Sequence, residues 1–401
     1  MSRQYHLRSF LRDAPNVFLR RYLKEKCIEL ECDWDALGET EIVPIFDAIQ
    51  AAKSGIREQC EADFCEIDKM ATEGGVKSLL AEARFHKIDL AAAFGEAGSD
   101  HERVFWVFLD YPKVFRVARD RYQADNIPGR SWRKRAGLPA ISPKIEEEYR
   151  QKLGAGIAEH FRCTAGKGHH WKVEHYDGDD RLYWFVYTQD YAGADSEFNE
   201  AGEFELRTRL PADKVIFVYY KAERALDIYA PSCAPKTVEV LQQIWADAVL
   251  EGKLGTPGKS GIVFDLDALK QRNFPFPFDP ADGIEEVRLA SLRLSLLTET
   301  KEEAKTNPRI TLEVDARRKA DAVYDLLDEI LAAEHITLDR VKVTQARFQL
   351  IFRSHQRGGR ETVSFNVTDP DMCSLKQDPK HIIARNYLRR WGIDGVNPIL
   401  S

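Results

Sequence analysis

Apolar residues recur every three or four positions from about residue 14 to residue 122. Val17, Leu19 and Leu23 show this spacing, and Ile45 and Ile49 continue it. Such a period is typical of amphipathic helices. Residues that favour turns interrupt the pattern around 33–40, 74–75 and 95–100. The pattern predicts an N-terminal helical domain over residues 1–125, whose last, aromatic helix is kinked or split by a proline at position 112.

The next part of the chain changes from helical to alternating spacing. Residues 127–143 contain three prolines and two glycines, so we predict a basic linker at 126–143. A helix from 144 to about 161 precedes two alternating runs around the turn at 177–180, a β-hairpin pattern. Short connections to strands at 204–210, 214–220 and 226–229 favour an antiparallel meander crossed by a helix at 236–250. The sequence therefore predicts an antiparallel sheet domain with flanking helices at 144–252.

The last third of the chain alternates strands and helices after a connection rich in Pro and Gly at 253–283. We predict strands at 287–296 and 309–314, a helix at 317–333, strands at 341–352 and 362–367, and a helix at 379–391. This ββαββα order over residues 284–401 is packed most simply as a sheet with helices on one face. The predicted fold class is α+β.

Charge and composition narrow the possible partners. The 401 residues carry 58 Lys and Arg against 65 Asp and Glu, a net charge of −7, so no global basic field attracts the chain to nucleic acid or an anionic membrane. We find no stretch as apolar as a membrane span and no cleavable leader. Seven cysteines, an odd number, do not suggest a disulfide framework. We expect a cytoplasmic protein without membrane contact.

The segment from Gly166 to Tyr176 is the richest in residues that could perform chemistry. It contains imidazoles at 169, 170 and 175 and a carboxylate at 174. On an extended strand His170 and Glu174 lie roughly 13 Å apart, because each residue advances the chain by about 3.3 Å. They cannot bind one ion together, and we predict no metal and no cofactor. We expect the face that bears His170, Lys172, Glu174 and Tyr176 to be solvated, and His170 and Glu174 are the catalytic candidates.

Phosphate-binding and other catalytic motifs are not matched. Residues 255–261, GTPGKSG, contain a Gly-Lys-Ser element, but Lys253 stands where the first glycine of a phosphate loop is needed. The segment also follows a predicted helix, whereas a phosphate loop follows a strand. We interpret it as a flexible connection.

Local basic clusters are the remaining signal. The predicted linker carries four cations and a tryptophan with no acid between 127 and 140, and the last helix carries three further arginines. Arginine beside an aromatic residue is a combination that contacts phosphates and stacks on bases. The predicted binding residues are Arg130, Trp132, Arg133, Lys134, Arg135, Arg385, Arg389 and Arg390.

Two hypotheses about function follow from these observations. The first is a non-enzymatic binding or adaptor component that acts on a macromolecular partner, protein or nucleic acid, through the basic clusters. The alternative is an enzyme, hydrolase or nuclease-like, that uses His170 and Glu174 with Asp190 or Tyr183 on the middle sheet. The sequence indicates no oligomeric state. Convergence of the arginines from separate segments on one part of the fold would favour the first hypothesis.

Overall fold

The structure, a computed structural model, describes most of the chain. The described residues are 5–135, 138–178, 180–199, 202–254, 262–272, 274–297, 309–315, 319, 321–353, 360–369, 372–376 and 378–396. They form twelve α-helices and several antiparallel sheets, which confirms the predicted α+β class. None of the helices in these ranges combines the length and the apolar composition needed to cross a bilayer.

Eight helices form the N-terminal part, as the helical spacing predicts. They are α1 (Leu7–Asp13), α2 (Asn16–Glu25), α3 (Val43–Ala51), α4 (Ser54–Met70), α5 (Glu73–Phe85), α6 (Ala91–Glu96), α7 (Asp100–Asp110) and α8 (Pro112–Asp125). The rings of Phe10, Phe64 and Phe105 are fully buried and in mutual contact at the centre of this core. α7 ends at Asp110 and α8 begins at Pro112, so the proline splits the aromatic helix as predicted.

The strand pairs described for the middle sheet are antiparallel. The sheet also contains a strand that the sequence did not predict. Its strands are β1 (Trp132–Arg135), β2 (Trp171–Asp177), β3 (Arg181–Gln189), β6 (Ala212–Tyr220) and β7 (Ala225–Tyr229), in the spatial order β1-β7-β6-β3-β2. α9 (Glu147–Ala165) and α10 (Pro235–Trp245) accompany it, and α10 continues as a π-helical turn to Leu250. β1 lies inside the predicted linker, because pairing with the distant β7 supplies backbone hydrogen bonds that outweigh the local Pro and Gly signals.

A separate hairpin interrupts the predicted meander. β4 (Gly193–Phe198) and β5 (Phe204–Arg209) pair with each other in a two-stranded sheet of their own. The strand predicted at 204–210 is therefore present but does not belong to the five-stranded sheet. Its partner is β4, a strand that the polar sequence around Asp195 and Glu197 did not indicate.

The C-terminal part has the predicted ββαββα order. β9 (Ile284–Leu296), β10 (Arg309–Glu313), α11 (Ala322–Ala333), β11 (Val341–Arg353), β12 (Arg360–Thr368) and α12 (Pro379–Arg390) follow in sequence, with the short β13 (Met372–Cys373) before α12. The sheet order is β10-β9-β11-β12-β13. Phe348 stacks on Phe365 and on Trp391 in its core. A two-stranded sheet joins β8 (Ile262–Phe264) to β14 (Asp394–Val396).

Two compact units divide the chain. The first consists of Met1–Ala124 and Lys144–Ile216, and the second of Asp125–Pro143 and Phe217–Ser401. The boundary falls within β6. The segment predicted as a basic linker thus belongs to the second unit together with α12, and these two segments carry the predicted binding residues.

Candidate functional site

The two basic segments of the second unit are neighbours in space. Lys376 donates a hydrogen bond from Nζ to Asn126 Oδ1 at 3.3 Å, across 250 positions of sequence. Gly129 approaches the chain before α12 so closely that a β-carbon at this position would collide with the carbonyl oxygens of Cys373 and Leu375. Arg385 on α12 donates to the same Leu375 carbonyl at 3.2 Å. The 3-10 turn that precedes β1 therefore lies next to the start of α12.

Two buried carboxyl groups lie among these cations. Asp227 on β7 is 7% exposed, and Asp394, which opens β14 after α12, is 5% exposed. Tyr220 donates to Asp227 Oδ2 at 2.9 Å. The Oδ1 atoms of both aspartates are buried and accept no hydrogen bond within the described part of the chain. Such buried acceptors are costly unless nearby charges compensate them.

The cations that interact electrostatically with these two aspartates come from both basic segments. Burial raises the pKa of both carboxyl groups, and Lys134 and Arg385 oppose that rise at both sites. Arg389 also opposes it at Asp394. Glu223, a third acid, raises the pKa of both and accepts a hydrogen bond from Lys134 Nζ at 2.5 Å. Cations from β1 and from α12 thus act on the same pair of buried acids.

Three of the predicted binding residues are engaged within the fold. Arg135 is buried and donates from Nη1 to Gln242 Oε1 at 3.4 Å, and burial lowers the pKa of its guanidinium. This corrects the prediction for Arg135, because a buried guanidinium does not reach a partner. Trp132 packs its ring 5.7 Å from that of Tyr229, and its indole N–H is buried without a described acceptor. Lys134 is partly buried and pairs with Glu223.

Four of the predicted residues are exposed, and we call them the arginine surface: Arg130, Arg133, Arg389 and Arg390. Arg133 Nη1 donates to the carbonyl oxygens of Arg130 and Trp132 at 3.0 and 3.1 Å. Arg390 lies 3.9 Å from Asp282 Oδ2 and 5.0 Å above the Tyr387 ring. Exposed pairs of this kind stabilise a protein little and are exchanged readily for other partners.

Two further arginines, at the end of β11 and the start of β12, are engaged by one acid. Arg353 and Arg360 both pair with Glu285, at 3.3 and 3.2 Å. Residues 354–359 between these strands, which include His355 and Arg357, lie outside the described residues, as does the GTPGKSG segment.

In the first unit, the structure does not bring the catalytic candidates together. His170 is exposed just before β2. Glu174 accepts hydrogen bonds from Lys172 at 2.6 Å and from Tyr176 at 2.8 Å. Burial acts to raise the pKa of Glu174, but these two donors outweigh it, and the pKa is lowered. The carboxylate is held by its neighbours on the strand.

The face of β2 predicted to be solvated is partly covered. The hydroxyl of Tyr176 lies 3.3 Å from Asp120 on α8, and Glu174 is partly buried beside it. The opposite face packs on α9, where Gly154 leaves room for the Trp171 ring. The prediction failed for Glu174 and Tyr176 because alternation along one strand does not show whether a helix covers its polar face.

The other residues of the enzyme hypothesis are also occupied or buried. Asp190 pairs with Lys167 at 2.9 Å, and Tyr183 is fully buried on β3. In the ranges that the structure describes, no group of three or more His, Cys, Asp or Glu side chains is arranged to hold a metal ion. The enzyme hypothesis stays a prediction, because its candidate residues are not brought together in one site in the described part of the chain.

Comparison with known proteins adds no further assignment. No family model matches the chain, and no curated protein matches it with significance. The proposals below therefore depend on the geometry and charges of this chain alone.

Proposed function

We propose that this protein is a non-enzymatic nucleic-acid-binding component, and that the arginine surface of its second unit contacts the phosphate backbone. One observation carries the proposal: the segment that leads into β1 packs against the segment that leads into α12, so two cation-bearing segments far apart in sequence are neighbours in the second unit. The four exposed side chains of the arginine surface would provide the local positive charge that the overall charge of −7 lacks.

The arginine surface is chemically better suited to bind phosphate groups than to bind an isolated carboxylate. Guanidinium groups present several donors in a planar fork that matches phosphate oxygens. Arg130 and Arg133 lie on the β1 side, and Arg389 and Arg390 at the end of α12. An extended polyanion can contact both groups at once. The half-buried Trp132 lies within the β1 group, but its packing on Tyr229 leaves base stacking secondary to phosphate contact.

Salt dependence tests the proposal. We expect a fluorescent 20-nucleotide single strand to bind with an affinity that falls with salt, with a logarithmic slope of about −3 if four phosphates are neutralised. Arg133→Glu/Arg389→Glu should weaken binding at least tenfold and flatten the slope. The same oligonucleotide as RNA, as DNA and as a duplex shows which form is preferred.

A charge-matched control separates local contact from net charge. Arg20→Glu/Arg162→Glu makes the same change in total charge on exposed helices of the first unit, and we expect it to alter affinity less than threefold. Wild-type protein without any salt-dependent binding would refute the nucleic-acid proposal. Equal losses in the two double variants would show that only net charge matters.

A further inference from the structure

The hairpin β4–β5 of the first unit has two chemically different faces. In its register Phe198 is opposite Phe204, Ser196 is opposite Leu206, and Ala194 is opposite Thr208. Residues directly opposite each other in an antiparallel pair point to the same side of the sheet. These residues therefore form one continuous face without any charged side chain, which we call the apolar hairpin face: Ala194, Ser196, Phe198, Phe204, Leu206 and Thr208.

The other face of the same hairpin is an ion-pair network. Glu197 lies 3.1 Å from Arg207 and also pairs with Arg209, which reaches Asp195 at 3.4 Å. The pKa of Glu197 is lowered chiefly by a hydrogen bond from Arg209 and next by one from Arg207. Most charged side chains of this face thus have their ion-pair partners within the hairpin. The apolar hairpin face is the side whose burial would be favourable.

Nothing within the described chain covers the apolar hairpin face. Phe198, Phe204 and Leu206 are between 63% and 73% exposed, and Leu210, just after β5, is 61% exposed. All six residues of β5 are exposed. The phenyl rings of Phe198 and Phe204 contact each other at 5.9 Å between centroids, and neither makes another aromatic contact with the described residues. At about 200 Å² for each large apolar residue, these fractions leave roughly 500 Å² of apolar surface.

This surface is large for the chain and the hairpin that carry it. An exposed apolar patch of roughly 500 Å² is comparable to the largest patch on a typical soluble monomer, and such patches are often functional. A two-stranded hairpin on its own is also only marginally stable in water. Its edges are available to a further strand, because β4 and β5 pair only with each other among the described residues.

We propose that the apolar hairpin face is a self-association surface, covered by the same face of a second copy of this chain. A face without charge can meet its own copy around a two-fold axis without placing like charges together, as an isologous interface requires. Two such faces, each extended by the exposed Leu210, bury roughly 1,000 Å² in total, the lower limit for a specific interface. An interface of this size is typical of weak, transient association. This inference does not depend on nucleic-acid binding.

Sedimentation equilibrium of the full chain tests the inference. We expect wild-type protein to pass from monomer to dimer as its concentration rises through about 10 to 100 µM. Leu206→Glu places a charge on the apolar hairpin face and should shift the midpoint at least tenfold higher. Glu205→Lys, one residue away on the charged face, is the matched control and should leave the midpoint unchanged.

A mixing experiment distinguishes self-association from a change in folding. Leu206→Glu and Leu206→Lys should each be monomeric alone but should associate when mixed, because opposite charges then meet across the two faces. Wild-type protein that stays monomeric at about 100 µM, with or without binding to phosphatidylcholine vesicles, would overturn the proposal. A dimer that survives Leu206→Glu would overturn it equally.

Discussion

Lys134 lies directly opposite Asp227 in the ladder between β1 and β7, and its ammonium group pairs at the same time with Glu223 at 2.5 Å. The segment that the sequence predicted as a basic linker is therefore held in the sheet by its ladder with β7, with a cation opposite a buried acid. Asp227 in turn is hydrogen-bonded by Tyr220 and is influenced by Arg385 from α12. The first predictions concern this connection.

Asp227→Asn should flatten the dependence of stability on pH. Burial raises the pKa of Asp227 in the folded state above the value of about 3.9 found in unfolded chains. Between these two values the folded state holds the proton more tightly, so this group lowers the free energy of unfolding as pH rises through that window. We expect this decline to be smaller in the variant, because an asparagine binds no proton in this window. Urea unfolding at pH 4 to 7 measures it, with the exposed Asp35→Asn as control.

Lys134→Met should destabilise the second unit through the same carboxylate. Without the ammonium group, Asp227 and Asp394 lose one of the charges that compensate their burial, and we expect a loss of about 1 to 2 kcal/mol at pH 7. In an Asp227→Asn background the loss should be smaller, which a double-mutant cycle detects. Additive effects would contradict the coupling between Lys134 and Asp227.

Gly129→Ala tests whether the contact between the two basic segments organises the arginine surface. A β-carbon at 129 meets the carbonyl oxygens of Cys373 and Leu375, which are backbone atoms and cannot move cheaply. We expect a loss of about 2 kcal/mol in stability and weaker oligonucleotide binding without any change of charge.

The matched control for that substitution is Gly55→Ala near the start of α4, where a β-carbon meets open space. This variant should keep its stability or gain up to about 1 kcal/mol, because alanine favours the helix more than glycine does. Oligonucleotide affinity that is unchanged in Gly129→Ala would show that the two arginine groups act independently of this contact.

Local periodicity predicted most elements, and long-range pairing determined those it missed. The alternation around 171–189 predicted β2 and β3 because side chains on a half-buried strand repeat every two residues. β1 has no such signal, since only its ladder with β7 makes it a strand. The same limit applies to the site. Asp227 stands between the buried Leu226 and Ile228, an isolated acid in an apolar run, and this was the available signal for the site.

Glu174→Gln decides whether the carboxylate on β2 is structural. Burial acts to raise the pKa of Glu174, but the hydrogen bonds from Lys172 and Tyr176 lower it below the unfolded value of about 4.3. The ionised carboxylate therefore stabilises the folded protein above that unfolded value. This stabilisation is lost as pH falls through the folded pKa. We expect the variant to be about 1 kcal/mol less stable than wild type at pH 7, and this difference to shrink as pH falls below about 4. The exposed Glu148→Gln on α9 should change neither value. If Glu174→Gln costs nothing at pH 7, the carboxylate is not held by its neighbours, and the enzyme hypothesis with His170 and Glu174 regains its support.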